Sequence, residues 1–470
     1  MERLRDNLFY FATAVVWLCG TASAADKPNV VFILCDNLGY GDVGPFRNTV
    51  HRTPNLDRFA AEGRKFSHYY SASGVCSPSR AALMTGCYPL RIGLHHGDNS
   101  VVLQPISHLG LASDEFTLAE LFQSQGYATK AIGKWHLGDQ PPFLPTRHGF
   151  TEYLGIPYSE NMVGDKKPGW PPLPLLQNER VIEAPVDRET LTRRYTEEAI
   201  RFVRENRERP FFLYFPHAVP GSEAQSFASD DFRGRSKNGL YGDAVEEIDW
   251  SLGRILDTLR ELNLDRQTLV VWTSDNGAVK HDPRQGSNAP LRGWGYSTDE
   301  GGMRVPLLAR WPVRIPADTE CAELATMMDW LPTFAELLGT KLPQDRPIDG
   351  RDISPLLFES SNAVSPHQAF YYYQKDQLQA VRSGRWKLYL PLANYVKGAS
   401  PEKQPRPASL FDLVADVDER HDRAAEQPQI VAELTQRAEE ARTEIGDGER
   451  IGRGIRKPGW VDTPVPQVLR

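Results

Sequence analysis

The sequence predicts an α/β protein: a large, mostly parallel sheet sandwiched by helices, with a smaller C-terminal antiparallel sheet plus helix. Three observations lead there. Short runs such as Asn29–Leu34 (NVVFIL) and Thr268–Thr273 (TLVVWT) are almost continuously apolar, as suits strands buried on both faces. Helical patterns, Leu118–Gln125 and Leu240–Leu262 among them, fall between such runs, the alternation that builds parallel sheets. After about Leu357 the segments alternate in polarity, which suits antiparallel strands with one solvated face.

Taken in order, the chain begins with an apolar run, Leu8–Cys19, followed by Ala22-Ser23-Ala24. That is the form of a secretory signal peptide over residues 1–24, and the run is too short to span a bilayer comfortably. Export to a periplasmic or extracellular location is expected, and membrane anchoring is not. Four cysteines remain after cleavage, Cys35, Cys76, Cys87 and Cys321, too few for a disulfide framework, and no CxxC pair suggests zinc. The 470 residues, 40% of them hydrophobic, can bury a large core, and a net charge of −7 without a basic run excludes a general nucleic-acid binder.

Residues 25–360 carry the α/β pattern and form the expected main domain. Its apolar runs end informatively. Asn29–Leu34 leads into Cys35-Asp36-Asn37, Thr268–Thr273 into Ser274-Asp275-Asn276, Pro210–Phe215 into Pro216-His217, and Tyr127–Gly133 into Lys134-Trp135-His136. In parallel sheets ligands sit beyond the carboxyl ends of the strands. A single Asp-Asn pair after a strand is usually a turn. Two such pairs joined by Lys-x-His favour a metal and anion site. Residues 361–470 are expected to form a smaller α+β subdomain. A linker (SSNAVSP) precedes three strand-like segments, a helix over Pro428–Ile445 and an irregular Gly- and Pro-rich tail.

The stretch GVCSPSRAALMTG, Gly74 to Gly86, adds a cysteine to this site. Pro78 suits the first turn of a helix, which sets Cys76 at or just before the helix N-terminus, where free N–H groups favour negative charge. Arg80 follows on the same face. From the residues alone Cys76 can be a buried apolar side chain, a thiolate nucleophile, a metal ligand or a chemically altered residue. Hard oxygen donors such as Asp36, Asn37, Asp275 and Asn276 suit Ca²⁺ or Mg²⁺ and pair poorly with a thiolate.

The chain resembles the formylglycine-dependent sulfatases of the alkaline phosphatase superfamily from Pro28 to roughly Leu413. The likeness rests on PNVVFILCDNLGYGDVG, CSPSRAALMTG, GKWHLG, GIPYSENM, PFFLYFPHAVP, SDNG and EGGMRVP, in that order. The resemblance implies that a separate formylglycine-generating enzyme oxidises Cys76 to formylglycine (3-oxoalanine), whose hydrate attacks the sulfur of a sulfate monoester. It implies a Ca²⁺ site at Asp36, Asn37, Cys76, Asp275 and Asn276. Arg80 falls on the arginine that holds the hydrate, Lys134 on a sulfate-binding lysine, His136 on the histidine that takes a proton as sulfate leaves, and Ser159 on a serine that steadies the second hydroxyl.

Four positions depart from the family pattern: Gly221 and Gly295 bear on the leaving-group side, Asn37 on the metal and Cys87 on conversion of Cys76. Asn37 stands where a second Asp is usual, Gly221 where a histidine touches the leaving oxygen, Gly295 where a sulfate-binding lysine is expected, and Cys87 where Arg is common. His217, Lys280 and His281 lie nearby in sequence, and His217 is carried as a substrate-binding candidate with Lys134 and Ser159. The expected protein is an exported sulfatase acting on aryl or carbohydrate sulfates with Ca²⁺. A phosphonate or phosphodiester hydrolase of the same superfamily, and an impaired member that binds sulfated glycan, are the alternatives. Substrate selection is expected from Glu160–Val181 and Lys280–Thr298.

Overall fold

The computed structural model describes residues 27–469 except 49, 223–225, 282–284, 360–361, 398–399 and 403–404, so the signal peptide expected over 1–24 lies outside the described residues. Ten strands form the main sheet: β1 (Asn29–Asp36), β2 (Arg64–Phe66), β3 (Ala128–Ile132), β4 (Glu152–Gly155), β5 (Leu175–Gln177), β6 (Arg180–Glu183), β7 (Phe211–Pro220), β8 (Thr268–Ser274), β9 (Leu307–Arg310) and β10 (Thr319–Cys321). Their order is β10-β2-β9-β8-β1-β7-β3-β4-β5-β6. The five central strands, β8 to β4, are parallel, and both flanks add antiparallel neighbours.

β1 is buried at every position, with Val30, Phe32 and Leu34 in one core layer and Val31, Ile33 and Cys35 in the other. Helices cover both faces. α1 (Cys76–Thr85) and α2 (Leu118–Ser124) contribute to the first layer, while α3 (Leu191–Glu205) and α4 (Gly239–Glu261) contribute to the second. The parallel arrangement brings the carboxyl ends of β8, β1, β7, β3 and β4 to one edge. Cys35, Cys76, Cys87 and Cys321 are all buried free thiols.

One strand differs from its expected bounds. β7 runs on through Pro216 and His217 to Pro220, because its pairing with β1 shifts register between Leu34 and Asp36. Prolines are tolerated where a bulge interrupts the hydrogen-bond ladder. His217 therefore lies within a strand and packs against Phe215.

The C-terminal sheet is antiparallel: β11 (Phe370–Gln374), β12 (Gln377–Ser383), β13 (Trp386–Tyr389) and β14 (Ser409–Asp412) lie in sequence order, with α5 (Pro428–Glu444) against them. The tail, expected to be irregular, carries short pairings. Gly459 and Trp460 pair with Leu109 and Gly110 of the larger unit, and the Gln467 amide donates to the Asp139 carbonyl.

A buried ionic cluster fastens this sheet to the loop before β9. Lys387, fully buried, donates to the Thr298 carbonyl at 3.0 Å and to Glu300 at 2.9 Å. Tyr70 and Tyr372 donate to the same carboxylate. Burial alone would raise the Glu300 carboxyl, but Lys387, Arg304 and Arg382 outweigh it and hold it below the usual carboxylate range. Removing one partner of such a pair leaves an uncompensated buried charge. Lys387→Met is therefore expected to lower stability by about 3–5 kcal/mol in urea unfolding; a loss under about 1 kcal/mol would contradict this role.

Candidate active site

The first side chains at the sheet edge come from β1 and β8. Asp36 closes β1, Asp275 follows β8, and both carboxylates are fully buried. α1 starts at Cys76 and ends at Gly86, whose φ of +68° provides a left-handed cap. One turn into this buried helix, Arg80 reaches back to the sheet edge. Its Nε donates to Asp275 at 2.9 Å, one terminal nitrogen to Asp36 at 3.0 Å and the other to the Lys134 carbonyl at 2.7 Å. The planar guanidinium thus fixes three segments at once.

Lys134 follows β3, and its ammonium donates to Asp36 at 2.7 Å and to Ser159 at 2.9 Å, with Glu160 at 3.6 Å. Ser159 in turn donates to Glu160 at 2.7 Å. Burial raises the Glu160 carboxyl above its ordinary range, with Lys134 opposing. Burial likewise raises Asp275, and Asp36 adds to that effect; Asp36 itself is held low by Lys134 and Arg80 against its own burial. Of this close pair, Asp275 is the carboxyl that takes up a proton more readily.

Asn37 and Asn276 complete the edge. The Asn37 backbone N–H donates to Asp275 at 3.0 Å, and the Asn276 amide donates to Asn37 Oδ1 at 2.5 Å. Oδ1 of Asn276 is buried with no protein partner. Asp36, Cys76 and Asp275 bring their ligand atoms within 4.8 Å of one another. An orphaned amide oxygen beside two carboxylates fits a hard divalent cation. Two cationic side chains, Arg80 and Lys134, face three carboxylates here, so a divalent ion would turn the balance toward attracting an anionic ester.

The Cys76 thiol lies 3.8 Å from Asn37 Oδ1. Burial, then Asp36, pushes it well above the usual thiol range, so as a thiol it is a poor nucleophile at neutral pH. His136 is buried, and burial followed by Lys134 and Arg80 keeps its imidazole neutral. Its Nε2 lies 2.9 Å from the Leu103 carbonyl, which can only accept. Nε2 therefore carries the hydrogen and leaves Nδ1, buried without a partner, as a proton acceptor.

Asp36, Asn37, Arg80, Lys134, Ser159, Asp275 and Asn276 thus share one hydrogen-bonded cluster around Cys76, with His136 beside it. His217 stands apart: neither ring nitrogen has a partner, and burial alone pushes its pKa down to about 3. Lys280 is exposed and His281 half-buried. Three residues of the cluster were missed from sequence. Glu160 was present in the GIPYSENM motif and Tyr296, next to Gly295, lay within the Lys280–Thr298 segment, neither with an assigned role, whereas Ser222 carried no signal beyond lying next to Gly221.

Those two glycines are not vacant positions. A Cβ at Gly221, where φ is +81°, would meet Glu160 Oε1 at 2.6 Å, and one at Gly295 would meet the Gly277 carbonyl at 2.5 Å. Glu160 fills the first position and backbone closes the second.

Comparison with known proteins agrees with the fold. A family model described as Sulfatase matches residues 28–340, and one described as C-terminal region of aryl-sulfatase matches 365–456. The chain belongs to the sulfatase family, whose members hydrolyse sulfuric esters. Within it the chain is 40% identical over 387 residues to N-acetylgalactosamine-6-sulfatase of Canis lupus familiaris, covering 79% of this chain and 73% of that protein. It is 37% identical over 447 residues to arylsulfatase A of Bos taurus, covering 87% and 86%. Among solved structures, Ps i-CgsB superposes with a TM-score of 0.76 at 30% identity, covering 88% of this chain and 92% of that one. The same protein is also solved in complex with k-i-k-neocarrahexaose.

The crowding at Gly221 has a measurable consequence. Gly221→Ala must adopt a left-handed backbone and displace Glu160, and is expected to cost about 1–3 kcal/mol in urea unfolding. Unchanged or increased stability would contradict the packing described.

Proposed function

We propose that this chain is an exported sulfatase that removes sulfate from a sulfated carbohydrate, using a formylglycine made from Cys76 and a bound Ca²⁺. The observation that carries the reading is Cys76 at the start of a buried helix, with Arg80 tying that helix to Asp36 and Asp275. The poor nucleophilicity of the buried thiol favours conversion over direct use. Similarity to N-acetylgalactosamine-6-sulfatase, and to a structure solved with k-i-k-neocarrahexaose, supports a carbohydrate substrate.

Residue 76, once converted and hydrated, would supply the hydroxyl for attack on sulfur. Asp36, Asn37, Asp275 and Asn276 would hold Ca²⁺, which neutralises sulfate charge and favours ionisation of that hydroxyl. Arg80 has its donors committed to Asp36, Asp275 and the Lys134 carbonyl, so it fixes geometry rather than binding freely. Lys134 presents an ammonium oriented by Asp36 and Ser159, where it can stabilise charge on the ester oxygens. His136 takes up a proton at Nδ1, the ring position left without a partner. A formylglycine-generating enzyme is the maturation partner this chemistry requires. Among the described residues no helix is long and apolar enough to cross a membrane.

Co-expression with a formylglycine-generating enzyme, followed by peptide mass measurement at residue 76, tests the modification. Converted protein is expected to hydrolyse 4-nitrophenyl sulfate and sulfated hexoses, to lose activity on chelation and to regain it with Ca²⁺. Cys76→Ala should retain the folded state and show only background turnover. Full conversion with no turnover of any sulfate ester would refute the reading, and turnover of a phosphodiester in its place would move the activity elsewhere in the superfamily.

A further inference from the structure

The cluster around Cys76 is closed on most sides. Asp36, Asn37, Lys134 and Glu160 are fully buried, and Cys76 and Ser159 nearly so. Ser222 and Tyr296 are the partly exposed members of the same hydrogen-bonded set. Among the described members of this set, these two face solvent, so the alcohol part of a substrate is expected on their side and sulfate at the buried end.

A chain of hydrogen bonds leads from the cluster to that mouth. The Asn37 amide donates to Ser222 Oγ at 2.7 Å, and Ser222 Oγ lies 3.4 Å from the Tyr296 hydroxyl. The Ser222 backbone N–H donates to Glu160 at 2.8 Å, which fixes the serine from its other side. Ser222 can pass its own hydrogen to the Tyr296 oxygen, leaving the phenol hydrogen free for another acceptor.

Tyr296 is also held in an uncommon conformation. Its φ is +66°, a genuine outlier for a bulky side chain, and its N–H donates to the Gly74 carbonyl at 2.8 Å. Gly74 lies two residues before Cys76. Strain of this kind persists where surrounding structure imposes it, and the Lys387 cluster fastens the same loop at Thr298 and Glu300.

The geometry points to Tyr296 as a catalytic hydrogen-bond donor to the leaving alcohol oxygen, with Ser222 as its positioning residue. This rests on the sulfatase reading above. As a hydroxyl oxygen of converted residue 76 would bond to sulfur, the ester S–O bond breaks and its electron pair passes to the alcohol oxygen; Tyr296 stabilises the charge growing there, and that oxygen takes up the proton given up by the attacking hydroxyl. Tyr296 keeps its proton: over the cycle ester and water give alcohol and hydrogen sulfate. Gly295 admits no longer side chain against Gly277, so the phenol of the next residue supplies the donor at the mouth.

The test is Tyr296→Phe, compared with wild type after equal conversion of residue 76 and matched thermal unfolding. A graded series of aryl sulfates, from 4-nitrophenyl to unsubstituted phenyl, is used with a hexose 6-sulfate. Loss of the donor is expected to lower kcat roughly 10- to 100-fold on phenyl and hexose sulfates, and under about threefold on 4-nitrophenyl sulfate, whose leaving oxygen carries little charge. Ser222→Ala should show the same leaving-group trend at smaller amplitude. In a Cys76→Ala background, calorimetric binding of 4-nitrophenyl sulfate should change less than about twofold on Tyr296→Phe, because the bond strengthens only as charge develops. An equal loss across the series, no loss at all, or a tenfold loss of binding would overturn the assignment while leaving wild-type sulfatase activity in place. Wild-type protein inactive on every ester would instead overturn the sulfatase reading, and this inference with it.

Discussion

The bonds of Arg80 to Asp36, Asp275 and the Lys134 carbonyl are the constraint on which the site depends. They join α1, β1, β8 and the turn after β3 in a region without solvent. Isolated, two buried carboxylates at one sheet edge would repel and desolvate at a cost of several kcal/mol each. Arg80 and Lys134 make the arrangement tenable, and the orphaned Asn276 amide oxygen beside the carboxylates adds a hard donor of the kind a divalent cation takes. Cys76 occupies this site because Arg80 stands one helical turn away.

Much of this was legible in sequence for a physical reason. β1 and β8 each carry an uninterrupted apolar stretch, Val30–Cys35 and Leu269–Trp272, and then change within a few residues to Asp-Asn, so both the strands and their chemical ends stand out. Parallel topology converts those ends into neighbours although Asp36 and Asp275 lie far apart in the chain. The helix start at Pro78 and the spacing to Arg80 are local features and were equally readable.

What was not legible depends on loops and on register. The two prolines after Phe215 suggested that the strand stops, but the register shift opposite Asp36 lets β7 continue and carries His217 into the packed interior. Gly221 and Gly295 suggested lost contacts, yet Glu160 and the Gly277 carbonyl occupy the space their side chains would need. Ser222 and Tyr296 meet only because two loops converge, one of them anchored by Lys387 of the C-terminal sheet. Nothing periodic in the sequence reports such a convergence. The C-terminal sheet thereby takes part in shaping the site it does not line, since it holds the loop that carries Tyr296.

The central claim is that the Arg80-bound carboxylates form a cation site beside residue 76. Metal analysis of the purified protein by mass spectrometry tests it most directly, with wild type compared against Asp275→Ala. The account predicts one tightly held divalent cation, calcium, per wild-type chain and none in the variant. Wild-type protein free of metal after purification in calcium, or equal metal content in both proteins, would contradict it.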